Sequence, residues 1–334
     1  MNYRSVTDLN NAIKSWVSEL PEDLNLVVGI PRSGLLAASL LALYLNLPLT
    51  DVSGLCENRV LATGRRFGRE NSIDFSKNNK ILVLDDSVNS GMQMAEVKAR
   101  VEAAKLPHQI YYAAVYASPY GHRYVDYWYE IIDNPRCFEW NVMHHDILTR
   151  SCVDIDGVLC PDPTSEENDD GERYKQFLVN AKPLVVPTKP IGWLVTCRLE
   201  KYRELTEEWL RRHGINYHQL VMMDFPDKES RIASGSHAKF KAEVYKLVSA
   251  DLFIESSYDQ ARQIVQLSGK PVLCIETNQM MNPNILIDYY SRGKKLASEA
   301  LDNPVKASAK LLRFSKRKFS TLRYKFLARK KKRG

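Results

Sequence analysis

Residues Ile81–Met94 read ILVLDDSVNSGMQM. The apolar, partly β-branched run suits a buried strand, and MQMAEVKARVEAAK, which follows Gly91, has helical spacing. Asp85 and Asp86 therefore fall at the carboxyl end of a strand, and Ser87, Val88, Asn89, Ser90 and Gly91 form the loop that opens the helix. The first N–H groups of a helix lack internal partners and bind a phosphate well. Carboxylates just before them accept hydrogen bonds from sugar hydroxyls. A phosphate and a diol a short distance apart describe a ribose 5-phosphate.

A second segment repeats the pattern. Asn25–Leu49 reads NLVVGIPRSGLLAASLLALYLNLPL, a strand at Leu26–Ile30 running through Pro31, Arg32, Ser33 and Gly34 into an apolar helix. Arg32 adds positive charge there and Gly34 permits close approach. Between the two lies Asn58–Asn71, NRVLATGRRFGREN, rich in Arg and Gly. Together these stretches resemble type I phosphoribosyltransferases. In that family the acidic pair and the loop ending in Thr/Ser-Gly cradle the 5-phosphate and sugar of phosphoribosyl pyrophosphate (PRPP). The resemblance assigns Asp85, Asp86, Ser87, Val88, Asn89, Ser90 and Gly91 to that role, with the acids catalytic. It places Pro31, Arg32, Ser33 and Gly34 against pyrophosphate and makes the Arg-rich segment the loop that closes over the reacting centre. Arg65, Arg66 and Arg69 are the candidates to meet pyrophosphate, although a solvated basic loop accounts equally well for any one of them. Ser87 stands where the family has a branched apolar residue, and Gln93 where it has a hydroxyl residue.

The chain continues well past this unit. Ser151–Thr164 reads SCVDIDGVLCPDPT, with an Asp at a strand end and a second Asp two residues on. The motif resembles the haloacid dehalogenase (HAD) phosphatases. That likeness makes Asp154 the nucleophile on phosphorus and Asp156 the general acid and base. Mg2+ would hold the nucleophile beside the phosphoryl oxygens. Companion motifs follow in the family's order. Ile191–Arg198, IGWLVTCR, ends in Thr196, Cys197 and Arg198, expected to bind the phosphoryl group. Lys241 best matches the neutralising lysine, with Lys239 second. Ala250–Ile254 leads into Glu255, where the superfamily often has a pair of acids. Ser256 breaks the pair, so the expected metal ligands are Asp154, Asp156, Glu255 and Asp259.

A length of 334 residues agrees with two domains. Strand–helix alternation in both halves predicts an α/β protein of two doubly wound domains, each a mainly parallel sheet flanked by helices. The expected division is 1–148 for the transferase-like domain, 149–290 for the phosphatase-like domain with a small cap, and 291–334 for a basic tail, helical or disordered. Strands are expected near 26–30, 49–54, 80–85, 109–116 and 128–132. Cys137–Thr149 leads across to the second domain, and the adjacent His144 and His145 read as packing or interface residues because neighbouring side chains diverge. About thirty residues separate the DxD motif from the strand of Thr196, too few for a large cap. They include Ser165–Glu172, SEENDDGE, which reads as a surface loop.

The six cysteines have no CxxC spacing, which fits buried thiols in a reducing compartment. The amino terminus lacks a signal-peptide core, and Leu35–Leu45 is too short to span a bilayer. The expected location is cytoplasmic. From Asn303 onward there are 13 Lys/Arg and no acid, against 34 basic and 40 acidic residues in the rest. Leu311, Leu312, Phe314, Phe319, Leu322, Phe326 and Leu327 are interleaved with that charge. Such a segment can lie on an anionic membrane surface, making the protein peripheral on the inner face of the plasma membrane. A solvated tail and a nucleic-acid contact use the same composition. Nucleic acid is the least expected partner, since neither half carries a recognised nucleic-acid module.

The two chemistries fit in series. A phosphoribosyltransferase passes a 5-phosphoribosyl group to an acceptor, and a phosphatase then removes the phosphate that group retains. The pair resembles fused transferase–phosphatase proteins that place ribofuranose in bacterial surface glycans. The implied substrates are PRPP and a glycan acceptor, lipid-linked if the tail holds the protein at a membrane, with Mg2+ as cofactor. A single displacement of the α leaving group would give a β-ribofuranoside. The alternative is a nucleobase phosphoribosyltransferase coupled to a nucleotide phosphatase. A further one is a first domain that senses PRPP for the phosphatase.

Overall fold

The structure, a computed structural model, describes residues 1–61, 73–233, 235 and 237–283. The first half runs β1 (Asn2–Arg4), α1 (Val6–Trp16), β2 (Leu26–Gly29), α2 (Ser33–Leu45), β3 (Leu49–Asp51), α3 (Val52–Cys56), β4 (Lys80–Val88), α4 (Met92–Ala103), β5 (Gln109–Ala117), β6 (Tyr127–Ile131) and β7 (Arg136–Phe138). Five of these strands form a wholly parallel sheet in the order β3-β2-β4-β5-β6. Apolar side chains leave both faces of its middle strands. One face buries Val27, Leu82, Leu84 and Val115 against α1 and α2, and the other buries Val28, Ile81, Val83 and Ala114 with Val101 and Met94 of α4. Burial on both faces is what a parallel strand requires, and it explains the unbroken ILVL run.

The second half runs β8 (Ser151–Val153), α5 (Glu172–Asn180), β9 (Ile191–Leu199), α6 (Arg203–Arg212), β10 (Tyr217–Met223), α7 (Lys228–Ala233), α8 (His237–Leu247), β11 (Leu252–Glu255), α9 (Tyr258–Ser268), β12 (Val272–Cys274) and β13 (Gln279–Met281). Its sheet has the order β10-β9-β8-β11-β12-β13, parallel except for the edge pair β12–β13. The protein is thus α/β, with two mainly parallel sheets flanked by helices.

In both sheets the chain reverses its direction of travel at an inner strand. From β2 it goes outward to β3 and then back past β2 to β4; from β8 it goes to β9 and β10 and then back to β11. At such a switch point the loops at the carboxyl ends of neighbouring strands diverge and leave a crevice. Both candidate sites stand at these points.

Three details differ from the sequence reading. β3 stops at Asp51, because the Asp51 carboxylate accepts the Gly54 N–H at 2.6 Å and caps a helix over residues expected to extend the strand. β4 runs on to Val88, so Asp85 and Asp86 lie inside its carboxyl-terminal part. A short parallel pair, β1 with β7, joins the two ends of the first half. Within β7, Phe138 enters the first core and Cys137 the second, as strand alternation allows. The segment that follows, with Val142, Ile147 and Leu148 buried in the second core, leads directly into β8.

Between β8 and β9 the one described helix is α5. The acidic stretch before it is more organised than a solvated loop. Asp169 accepts the Gly171 and Tyr174 N–H groups at 2.9 and 3.0 Å, and Asp170 accepts from Lys201 Nζ, the Tyr202 hydroxyl and the Lys228 N–H at 2.8 to 3.0 Å. His144 is exposed, with Nδ1 3.2 Å from the Thr188 hydroxyl, whereas His145 Nδ1 accepts the Ile147 N–H. Among the described residues, no helix is long and apolar enough to cross a membrane. The basic tail lies outside them, as do Arg65, Arg66 and Arg69.

Candidate active sites

The first site lies between the loops after β2 and β4. α2 and α4 both begin there, with Arg32 and Gly91 at their N-cap positions and no side chain bonded as a cap. Gly91 takes the left-handed conformation (φ 82°) that turns β4 into α4. The loops touch. Gln93 Nε2, in the first turn of α4, donates to the Pro31 carbonyl at 3.3 Å. Gly34 packs on β4, where a Cβ would stand 2.8 Å from Asp85 Oδ1 and 2.9 Å from the Leu84 carbonyl oxygen. Pro31, Arg32, Asn89 and Ser90 are exposed, Ser33 and Ser87 half-buried, and Gly34, Val88 and Gly91 buried.

Beneath these loops the two acids differ. Asp85 Oδ1 accepts the Asp86 N–H at 2.9 Å, and burial together with the neighbouring Asp86 charge raises the Asp85 pKa well above the usual carboxylate range. Asp86 Oδ2 accepts the Trp140 indole N–H at 2.9 Å. Trp140 ends a near-parallel aromatic stack with Phe138 at 4.9 Å, and Phe138 continues it to Tyr116 at 5.5 Å. Arg136 lies buried beside that stack and donates through Nη2 to the Val88 carbonyl at 2.9 Å. β7 and the residues after it therefore fasten the far side of the acidic loop. Replacing Trp140 by Phe keeps the stack and deletes the donor to a buried carboxylate. The expected cost is about 1.5–3 kcal/mol, seen as a lower denaturation midpoint. An unchanged midpoint would mean that Asp86 does not depend on the indole.

The second site gathers side chains from four elements at the carboxyl edge of the other sheet. Asp154 follows β8, Glu255 ends β11, Thr196 to Arg198 end β9, and Lys241 comes from α8. Lys241 Nζ is buried and donates to Asp154 Oδ2 at 2.6 Å, Glu255 Oε2 at 2.7 Å and Gln260 Oε1 at 3.0 Å, which uses all three of its protons. Burial alone would lower the Lys241 pKa, but the two carboxylates outweigh it and the net shift is upward. Burial pushes Asp154 up to about 7, with Lys241 opposing and Glu255 and Asp156 adding to the rise.

Asp156 makes a bidentate pair with buried Arg198, Nη2 at 2.6 Å and Nε at 3.1 Å. Cys160 Sγ closes the same group, 3.4 Å from Asp156 Oδ1 and 3.3 Å from Arg198 Nη2. A carboxylate held this way is a ready acceptor; to donate a proton it must leave the guanidinium. Thr196 is fully buried and its hydroxyl oxygen accepts the Arg198 N–H at 3.2 Å. Cys197 is half-buried, and its carbonyl accepts from Arg231 Nη1 at 2.8 Å.

The expected site residues differ in where they end up. Asp154, Lys241 and Glu255 meet directly, and Asp156 meets Arg198. Lys239 is exposed on α8, and Asp259 is exposed on the first turn of α9. Gln260, the next residue, is the one from α9 that reaches Lys241. Trp140, Gln260 and Asp162 were not singled out from the sequence. Asp162 is half-buried, and burial with the charges of Asp156 and Glu255 raises its pKa. Its signal was in the quoted motif, an acid between two prolines just after the DxDG turn.

Among the described residues, no three His, Cys, Asp or Glu side chains close around one point tightly enough to hold a metal ion. The donor chemistry still fits a hard divalent cation. Asp154, Asp156, Asp162 and Glu255 offer only oxygen, and Lys241 and Arg198 are already bonded among them. Gly157 lets Ser256 and Asp162 pack closely against the loop after Asp156. A Cβ there would meet Ser256 at 2.5 Å and Asp162 Oδ2 at 2.8 Å.

No protein-family model matches the chain, and no curated protein matches it. Solved structures with similar chain paths include a purine phosphoribosyltransferase from Pyrococcus horikoshii, at 19% identity and TM-score 0.32, over 42% of this chain and 92% of that one. The xanthine-guanine-hypoxanthine phosphoribosyltransferase of Helicobacter pylori matches at 16% identity and TM-score 0.33, over 42% of this chain and 93% of that one. A hypothetical protein from Neisseria gonorrhoeae, solved with bound ppGpp, matches at 14% identity and TM-score 0.31, over 42% and 90%.

Proposed function

We propose that the chain is a bifunctional enzyme: it transfers a 5-phosphoribosyl group from PRPP to a glycan acceptor and then removes the 5-phosphate, leaving a ribofuranosyl residue in a bacterial polysaccharide. Residues 1–148 form the transferase and 149–290 the phosphatase. One observation carries this reading. The two phosphate-loop segments meet over an acidic pair at a sheet's switch point, with Gln93 bonded to Pro31 and Gly34 packed on Asp85, in a chain that also gathers Asp154, Lys241 and Glu255 at a second one.

In the transfer step the C1–pyrophosphate bond breaks and C1 carries developing positive charge until the acceptor hydroxyl oxygen bonds to it and gives up its proton to the departing pyrophosphate. The N–H groups that open α4 take the 5-phosphate, and those that open α2, with Arg32, take pyrophosphate. Asp85 and Asp86 receive the pentose hydroxyls. Arg65 and Arg66 meet the leaving pyrophosphate from outside the described residues.

In the second step an Asp154 oxygen attacks phosphorus and the bond to the pentose O5 breaks. O5 takes a proton from Asp156, which later removes one from the water that hydrolyses the aspartyl phosphate. Thr196, Cys197 and Arg198 line the phosphoryl position, and Lys241 neutralises charge gathering on Asp154 and phosphate. Asp154, Asp156 and Glu255 are the residues that would hold Mg2+, which would supply further positive charge to the phosphoryl transfer. Loss of inorganic phosphate draws the transfer forward. The basic tail places the enzyme on the anionic inner face of the membrane, beside a lipid-linked acceptor.

Mass spectrometry of acceptors incubated with PRPP, Mg2+ and the full chain tests the scheme. A glycan acceptor is expected to gain one pentose. Gain of pentose by nucleobases alone would replace the glycan reading with the nucleotide one.

A further inference from the structure

Lys241 has no proton to spare in the empty site. Its buried ammonium gives one to Asp154 at 2.6 Å, one to Glu255 at 2.7 Å and one to Gln260 at 3.0 Å. A phosphoryl group joined to Asp154 brings its oxygens beside the same ammonium. For Lys241 to bond one of them, a present acceptor has to give way.

The three acceptors are not held equally. Asp154 and Glu255 form ion pairs with Lys241 and are buried. Each is fastened through its other oxygen as well. Asp154 Oδ1 accepts the Ile155 N–H at 2.8 Å, and Glu255 Oε1 accepts the Ser257 N–H at 3.2 Å and the Ser256 hydroxyl at 3.3 Å. Gln260 brings a neutral carbonyl over the longest of the three distances, from a half-buried position in the first turn of α9. A charged oxygen outbids a neutral amide for an ammonium. Without Gln260, one proton of a buried cation would stay unbonded while the site is empty, which is costly.

We infer that Gln260 is a positioning residue that stands in for the phosphoryl group: it holds the third proton of Lys241 in the empty site and yields it when phosphate binds at Asp154. This rests on the phosphatase reading above and deepens it by naming the contact that substrate displaces.

The probe is trifluoroberyllate, which bonds to a carboxylate oxygen and mimics an aspartyl phosphate. Its binding to the full chain with Mg2+ is followed by fluorine NMR and by denaturation midpoints with and without the probe. Gln260→Leu should bind the probe about two- to tenfold more tightly than wild type, the worth of one net hydrogen bond that wild type must first give up. Empty, the variant should denature earlier than wild type. Saturated with the probe, the two midpoints should converge, since neither protein then uses the amide. A bond that only braced the fold would lower both midpoints alike and leave the affinity unchanged or weaker. Gln260→Asn, one carbon too short to reach Lys241, should repeat the result if the leucine variant does not fold. Affinity no tighter than wild type, or a midpoint difference that survives saturation, would overturn the assignment and leave the phosphatase reading standing. No probe binding by wild type would overturn both.

Discussion

Asp154→Asn is expected to stop the second reaction and leave the first running, so that the acceptor accumulates pentose phosphate. An amide nitrogen and oxygen are poor nucleophiles toward phosphorus, and loss of a covalent nucleophile costs on the order of 10⁴- to 10⁶-fold in rate. The substitution keeps the shape of the side chain. Lys241 retains Glu255 and Gln260 as partners, and the Asn Oδ1 can still accept the Ile155 N–H that Asp154 accepts at 2.8 Å. The pyrophosphate released should therefore match that of the wild type in the first turnover. Mass spectrometry of the acceptor separates the outcomes. A mature pentose adduct formed at the wild-type rate would exclude Asp154 as nucleophile. An acceptor that gains nothing from Asp154→Asn, while the wild type adds pentose, would mean that dephosphorylation comes before transfer.

How far this chemistry was legible from the sequence depends on the range of each contact. Side chains set by one strand end and its following turn were readable, because an apolar run that ends in an acid or a glycine turn fixes that position locally. Asp85, Gly91, Asp154 and Glu255 are of this kind. Lys241 was found as the best match to the lysine of the resembled family, ahead of Lys239, and it reaches Asp154 across 87 residues of sequence. Contacts made by short, weakly patterned segments were hidden. β1 and β7 are three residues each, too short to show alternation, yet their pairing carries Trp140 to Asp86. Asp162 was hidden differently. Its position follows from the Gly157 reversal, and a single acid among the many of residues 162–172 has no pattern to set it apart. Asp259 drew attention because it is near Glu255 in sequence, but its place in the first turn of α9 turns it outward. Arg198 shows a third limit. Its place near the end of β9 follows from the apolar run before it, while its bidentate hold on Asp156 depends on how β8 and β9 align.

Lys241→Met is expected to destabilise the second sheet by about 3–5 kcal/mol, because removing one partner strands buried charge. Methionine fills most of the same space and takes away the ammonium that bonds both Asp154 and Glu255, at 2.6 and 2.7 Å. The loss should depend on pH in a defined direction. In the wild type burial raises Asp154 to about 7, above an unfolded value of about 3.9, even though Lys241 acts to lower it. A carboxyl whose folded pKa is raised binds its proton more tightly when folded. Its contribution is fully present below about pH 4 and is lost as pH rises through 7. Without Lys241 the folded pKa climbs further, and the decline continues above 7, where the wild-type contribution has already levelled off. The stability gap between variant and wild type should therefore widen from pH 6 to pH 9. Native-state hydrogen exchange of the β8 and β11 amides in Mg2+-free buffer measures that gap in the sheet concerned. A gap that stays constant over this range would mean that Lys241 acts there through packing and not through its charge.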